Sequence, residues 1–324
     1  MGVIPPRVAL ATLPTPLVRA RRLERALAAG PLYVKRDDLT GFALAGNKAR
    51  ALEFLLGAAL ASESDIFVAT GSPSSNFCAA AAVAARTACL DCDLLFAGPR
   101  PSDPLVNVEL ARATGARLLF DTVATREELD DAVLAHADGL RSSGRRPYAV
   151  PRGGATPIGA FGYACAAREL DEQCDRLGFA PRTMVVAAGS GGTQAGLVAG
   201  QVGFGLPGRV IGASVSRPAE EVAGRVLGLS QACAAQFGLD GPDRDSIDVR
   251  DLVGAGFGVA SAEDRVSAAL ALELEGLLLD DYYGAKAMTL LRTLLTAGDA
   301  TPAVFWHTGG VVAALAALTR GAPS

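Results

Sequence analysis

Short apolar runs alternate with longer helical stretches along almost the whole chain, and this alternation is what most limits the folds open to it. Strand-like runs fall at 32–35, 66–70, 92–97, 117–120, 148–151, 183–188, 209–215 and 303–307. Between them lie amphipathic segments. Leu52, Leu55, Leu56, Ala59 and Leu60 follow the i, i+3, i+4, i+7, i+8 spacing of one helix face. Segments 109–113, 127–140, 164–177 and 266–274 also read as helices. Strands separated by helices form βαβ units, so the expected class is α/β with a mostly parallel sheet. Such sheets bind ligands beyond the carboxyl ends of their strands, which directs attention to the loops that follow them.

The composition narrows the function. Half of the residues are hydrophobic and 20% are charged, enough apolar material for a sizeable core. The net charge is −4 and the pI near 5.4, which argues against nucleic acid or an anionic membrane as partner. No apolar run reaches bilayer length, and residues 1–17 lack a charged-then-apolar signal pattern, so a cytoplasmic protein is expected. Six scattered cysteines read as reduced thiols, and the lone Cys89-x-x-Cys92 pair has no supporting second pair. With only His136 and His307 in the chain, neither a His-rich metal site nor a Ser–His–acid triad is expected. Lysine is scarce as well. Of 30 basic residues only Lys35, Lys48 and Lys286 are lysines, leaving 27 arginines. An amine can lose its proton and form an imine, whereas a guanidinium stays protonated.

Four loops carry the chemistry. In 183–196, TMVVAAGSGGTQAG, an apolar strand enters Gly189, Ser190, Gly191, Gly192 and Thr193, and a helix follows. Backbone N–H groups at that helix start, with the two hydroxyls, can hold a phosphate. The dinucleotide pattern fails because position 194 is Gln194, and a P-loop fails because Gly196 precedes Leu197. The loop therefore reads as a cradle for one phosphate, or as a tight β–α turn without a ligand. In LAGNKAR (44–50), Lys48 lies at a helix start, where the local field favours the neutral amine; taken alone it also reads as an ordinary exposed lysine. In IFVATGSPSSNF (66–77), Ser75 or Asn76 is either a simple N-cap or part of a grip on a carboxylate. FWHTGG (305–310) is a further strand entering glycines. A phosphate cradle, a scarce lysine and a carboxylate-gripping loop together are what pyridoxal phosphate and an amino acid require.

At this point the chain resembles a known family. LPTPL (13–17), LYVKRDDLTGFALAGNKARALEFLLGAAL (32–60), the Ser75-Asn76 loop, PRGGATPIGAFGY (151–163), GSGGTQAG, EGLLLDDYYGAKAM (275–288) and HTGG are similar, in order and over nearly the full length, to the fold-type II pyridoxal phosphate enzymes of the D-cysteine desulfhydrase and 1-aminocyclopropane-1-carboxylate deaminase family. The resemblance implies a tryptophan-synthase-β-like fold of two three-layer α/β domains with mostly parallel twisted sheets. Residues 1–49 and 156–324 would form the large domain and 50–155 the inserted one. It implies a homodimer, a small amino-acid substrate and α,β-elimination, with β-replacement, racemisation or loss of turnover as alternatives. Lys48 would be the Schiff-base lysine and proton shuttle. Asn76 would bond the ring hydroxyl, and Gly189 to Thr193 the phosphate. Ser75 would contact the substrate carboxylate or exchange a proton, and Tyr283 would lie near the substrate. Lys35 and Lys286 carry no catalytic role in this family.

The departures concern the substrate side. Family members have Gln and His where this chain has Ser74 and Phe77, and a second active-site tyrosine where it has Phe257. Ser74, Ser75, Asn76, Phe77, Phe257 and Tyr283 are the expected substrate contacts. The position that meets the ring nitrogen, Thr or Glu in the family, is Gly284 here. Thr308 or water would have to stand in, or the nitrogen goes unpaired, and a weak electron sink is expected.

Overall fold

Each strand-like run forms a strand within two residues of its expected ends. The computed structural model describes residues 4–121, 123, 125, 128–298 and 300–320. The strands are β1 (Leu17–Arg19), β2 (Leu32–Arg36), β3 (Ile66–Gly71), β4 (Asp91–Phe96), β5 (Arg117–Leu119), β6 (Pro147–Ala149), β7 (Thr183–Ala188), β8 (Arg209–Ser214), β9 (Asp248–Asp251) and β10 (Ala303–His307). The helices are α1 (Arg21–Ala26), α2 (Lys48–Ala61), α3 (Asn76–Thr87), α4 (Val106–Ala113), α5 (Leu129–Ser142), α6 (Pro157–Leu177), α7 (Gly192–Gly203), α8 (Ala219–Phe237), α9 (Ala262–Glu275), α10 (Gly284–Thr296) and α11 (Val311–Arg320).

Two strands lie outside the expected set, for clear reasons. β1 is three residues long beside two prolines, and it pairs antiparallel with β2. β9 holds Asp248, Arg250 and Asp251, which have no apolar alternation, and it sits at an edge. The helix expected over 164–177 starts earlier, at Pro157. Thr156 caps it by accepting the Gly159 N–H, and Pro157 fits its first turn. Gly162 lets α6 press against α2, since a Cβ there would lie 2.4 Å from the Arg50 carbonyl oxygen.

The strands assemble into two sheets. The first has the order β1-β2-β10-β7-β8-β9, parallel except for β1, and draws on residues 17–36 and 183–307. The second, β5-β4-β3-β6, is wholly parallel and is drawn from residues 66–149. Period-two alternation covers both faces of each. Val185 and Ala187 pack with residues of α1, α9 and α10, while Met184, Val186 and Ala188 pack with α6, α7 and α8. In the second sheet Phe67 and Ala69 meet α2 and α3, while Ile66 and Val68 meet Val133 of α5. Each sheet is thus the middle of three layers. The boundary expected at 49/50 falls inside α2, which packs on both α6 and α3.

Buried charges tie these layers together. Asp37 is fully buried and accepts hydrogen bonds from Thr15, Tyr163, Trp306 and both Nε and Nη2 of Arg50 at 2.6–2.9 Å. Arg50 also donates to Glu169, which ion-pairs with buried Lys35. Burial by itself would raise the Asp37 pKa, but the Arg50 charge and the donors outweigh it and hold the carboxyl at about 2. Two cations and two carboxylates balance within this cluster, which joins β2, α2, α6 and β10. Arg50 is two residues from Lys48, and Trp306 is two from Thr308.

Candidate active site

A cavity opens where the carboxyl ends of strands from both sheets face one another. Gly71 ends β3, Gly189 follows β7 and Thr308 follows β10, and all three line it. Lys48 also lines it, as the first residue of α2. Two contacts fix the start of that helix. The Asn47 N–H donates to the Thr308 carbonyl at 2.8 Å, and the Asn47 side-chain amide donates to the Thr193 hydroxyl at 2.9 Å. The approach is close enough to require glycine at 46, where φ is +55° and a Cβ would stand 2.3 Å from the Thr308 oxygen. Burial of the Lys48 amine lowers its pKa to about 8. Desolvation, rather than the field of the helix start, is the cause.

The glycine turn forms a second wall. Gly189, Ser190, Gly191, Gly192 and Thr193 all line the cavity. Gly191 is left-handed at φ +89°, which turns the chain into α7 at Gly192. The first-turn N–H groups of α7 have no partner within the helix and face outward from its end. A side chain at 189 would crowd Tyr283, whose Cε1 lies 3.0 Å from the position of a Cβ.

The third wall is the β3–α3 loop. Ser75 is the N-cap of α3, and its hydroxyl accepts the Cys78 N–H at 3.2 Å. Asn76 and buried Phe77 line the cavity beside it. The Asn76 Oδ1 accepts from the Asn107 amide at 3.0 Å, and the same amide donates to the Ser74 carbonyl at 2.7 Å. With its oxygen engaged, Asn76 presents its NH2 as a donor.

Of the residues expected at the site, Lys48, Ser75, Asn76, Phe77, Gly189 to Thr193, Tyr283 and Thr308 are brought together around this cavity. Two are not. Ser74 is exposed, with its hydroxyl against Ser72. Phe257 stands outside the lining and packs edge-on to Tyr282 and Tyr283. Gly284 does not line the cavity either; it is the first residue of α10, and its N–H points to Asp280. Lys286 donates to the Leu252 and Val253 carbonyls, away from the lining.

Sequence reasoning missed Asn47, Asn107, Asp280 and the Arg152–Asp130 pair. Asn47 adjoins Lys48 in a motif already singled out. Asp280 directly follows the apolar run 277–279. Asn107 comes from the first turn of α4, far along the chain, and carries no local signal. Arg152 and Asp130 both line the cavity and pair at 2.8 Å; burial would raise the Asp130 pKa, but Arg152 draws it below the usual range.

Comparison with known proteins places this arrangement. A family described as pyridoxal-phosphate dependent enzyme matches residues 8–309. D-cysteine desulfhydrases of Salmonella paratyphi B and Salmonella newport are each 35% identical over 324 residues, covering 96% of this chain and 96% of their own. A solved structure described as an ACC deaminase homologue superposes with a TM-score of 0.88 at 32% identity, over 95% of this chain and 93% of that one.

Proposed function

Because the chain belongs to the pyridoxal-phosphate dependent enzymes, we infer that its cavity performs α,β-elimination on a small amino acid of the D-cysteine type. The products would be a 2-oxo acid, ammonia and the leaving group, here sulfide. The observation that carries this reading is the convergence of one desolvated lysine, one glycine turn and one capped, hydroxyl-bearing loop on a single cavity.

The residues fit the cofactor. Lys48 offers an amine with a substantial neutral fraction at working pH. The turn from Gly189 to Thr193 offers backbone donors with no side chain to fill the space at three of its five positions. When bound, pyridoxal phosphate supplies an aldehyde for an amine and a conjugated ring that accepts the electron pair released as a proton leaves the α-carbon.

The protein's own groups divide the remaining work. Lys48 would remove the α-proton and pass it to the departing sulfide, since it is the amine on the cavity wall and burial keeps its basicity close to neutral pH. The Asn76 amide, whose oxygen is engaged by Asn107, would donate its N–H to the ring hydroxyl oxygen. Ser75 and the N-terminus of α3 hold the substrate carboxylate, with the helix end favouring negative charge. Tyr283 closes the wall beside the glycine turn and is proposed to lie near the substrate side chain. Phe77, in place of a polar neighbour, makes that part of the pocket apolar.

The same proposal takes residues 1–49 with 156–324 and residues 50–155 as the two units flanking the cavity. It includes a homodimer and a cytoplasmic location. No helix among the described residues is long and apolar enough to cross a membrane. Sedimentation equilibrium at about twice 33.0 kDa checks the dimer.

The decisive assay supplies the cofactor and then D- or L-cysteine, and measures sulfide and 2-oxo acid. Equimolar release of both is the expected result, with one enantiomer strongly preferred. Release of neither, together with exchange of the α-proton for solvent deuterium, would instead identify a racemase.

A further inference from the structure

Asp280 is the cavity's unexplained group. It is 1% exposed and lines the cavity. Its Oδ1 accepts the N–H groups of Tyr282 and Tyr283, both at 2.8 Å, and its Oδ2 accepts the Gly284 N–H at 3.3 Å. Among the described residues it forms no ion pair. A buried carboxylate held only by backbone dipoles is costly, and burial pushes its pKa up to about 6 despite those three donors. Such a site favours a cationic partner that arrives with a ligand.

The surrounding backbone keeps the carboxylate available. Gly310 stands against it at φ +85°, and a Cβ there would lie 2.1 Å from Oδ2. Position 284 places no side chain between Asp280 and the cavity; a Cβ there would press on Leu279 at 3.2 Å instead. Lys48, the glycine turn and Asn76 answer the aldehyde, the phosphate and the ring hydroxyl of the cofactor. Its remaining polar atom is the ring nitrogen, a cation when protonated. Thr308, which also lines the cavity, is neutral.

We propose that Asp280 is the counter-charge of the cofactor's ring nitrogen, accepting its N–H and keeping it protonated. This rests on the function proposed above, and it reverses the expectation drawn from Gly284. A carboxylate partner stabilises the pyridinium, and a protonated ring is a strong electron sink rather than a weak one.

The test compares two ligands by isothermal titration of the protein freed of cofactor. One is pyridoxal phosphate; the other is its 1-deaza analogue, in which carbon replaces the ring nitrogen. Wild type is expected to prefer the natural cofactor at least tenfold. Asp280→Asn retains a helix-capping oxygen, so α10 should keep its start, and it is expected to cut the preference below threefold. Thr308→Ala is expected to retain it. If Asp280→Asn does not fold, the nitrogen chemical shift of 15N-labelled cofactor on wild type, in the protonated or unprotonated range, decides the matter. Equal binding of both ligands by wild type, or full preference in Asp280→Asn, would overturn the assignment. Failure of wild type to take up pyridoxal phosphate at Lys48 would instead refute the underlying function.

Discussion

Exchange of Lys48 for alanine is expected to lower turnover at least about 10³-fold, because it removes both the cofactor-bonding amine and the proton carrier. Lys48→Arg should be equally inactive, since a guanidinium does not give up its proton at working pH. The direct measurement is borohydride reduction of the cofactor-loaded protein followed by peptide mapping. The label should appear on the peptide holding Lys48 and nowhere else. A label on Lys35 or Lys286 would move the chemistry elsewhere, although one is buried in an ion cluster and the other is bonded to backbone carbonyls. The pH course is also set. The neutral amine is the reactive form, so label uptake should rise about tenfold per pH unit below the amine pKa of about 8 and level off above it.

Arg50→Met is expected to destabilise the fold by about 3–5 kcal/mol, measured as a fall in the denaturant midpoint at unchanged slope. It leaves Asp37 and Glu169 facing each other across the space of the lost cation. Asp37 is the more exacting probe. Its folded pKa of about 2 lies below its unfolded value of about 4, so its contribution is complete above pH 4. That contribution, about 3 kcal/mol, should be lost as pH falls from about 4 to about 2. Asp37→Asn should flatten this acid-dependent part of the stability curve. Because Arg50 and Trp306 lie two residues from Lys48 and Thr308, both variants should also weaken cofactor binding. A variant with wild-type stability and a wild-type acid limb would remove the cluster from any role in holding the cavity together.

How much of this was readable beforehand depended on whether a signal was local. Strands β3, β7 and β10 bury every residue, so each appears as a largely apolar run in the sequence. β9 is a charged edge strand that exists because β8 offers it a partner. The glycine turn was readable because left-handed backbone and close approach demand glycine in a compact stretch. Lys48 stood out because lysine is scarce in this chain. Ser74 and Phe257 were expected in the pocket by position, but the chain turns Ser74 outward and sets Phe257 behind Tyr283. A sequence records which residue stands next in the chain, not which way a loop directs it.

The sequence by itself determined the class of fold, the strand frame and the glycine turn, and its scarce lysines made Lys48 a candidate. These follow from periodicity, backbone geometry and functional-group chemistry, which act over a few residues. The tertiary structure alone decided that the Lys48 amine is tuned by burial, that Asn107 orients Asn76, and that Asp280 rather than position 284 faces the cavity. Those outcomes depend on desolvation and on contacts between residues tens of positions apart, and both come into being only once the two sheets have closed around their common cavity.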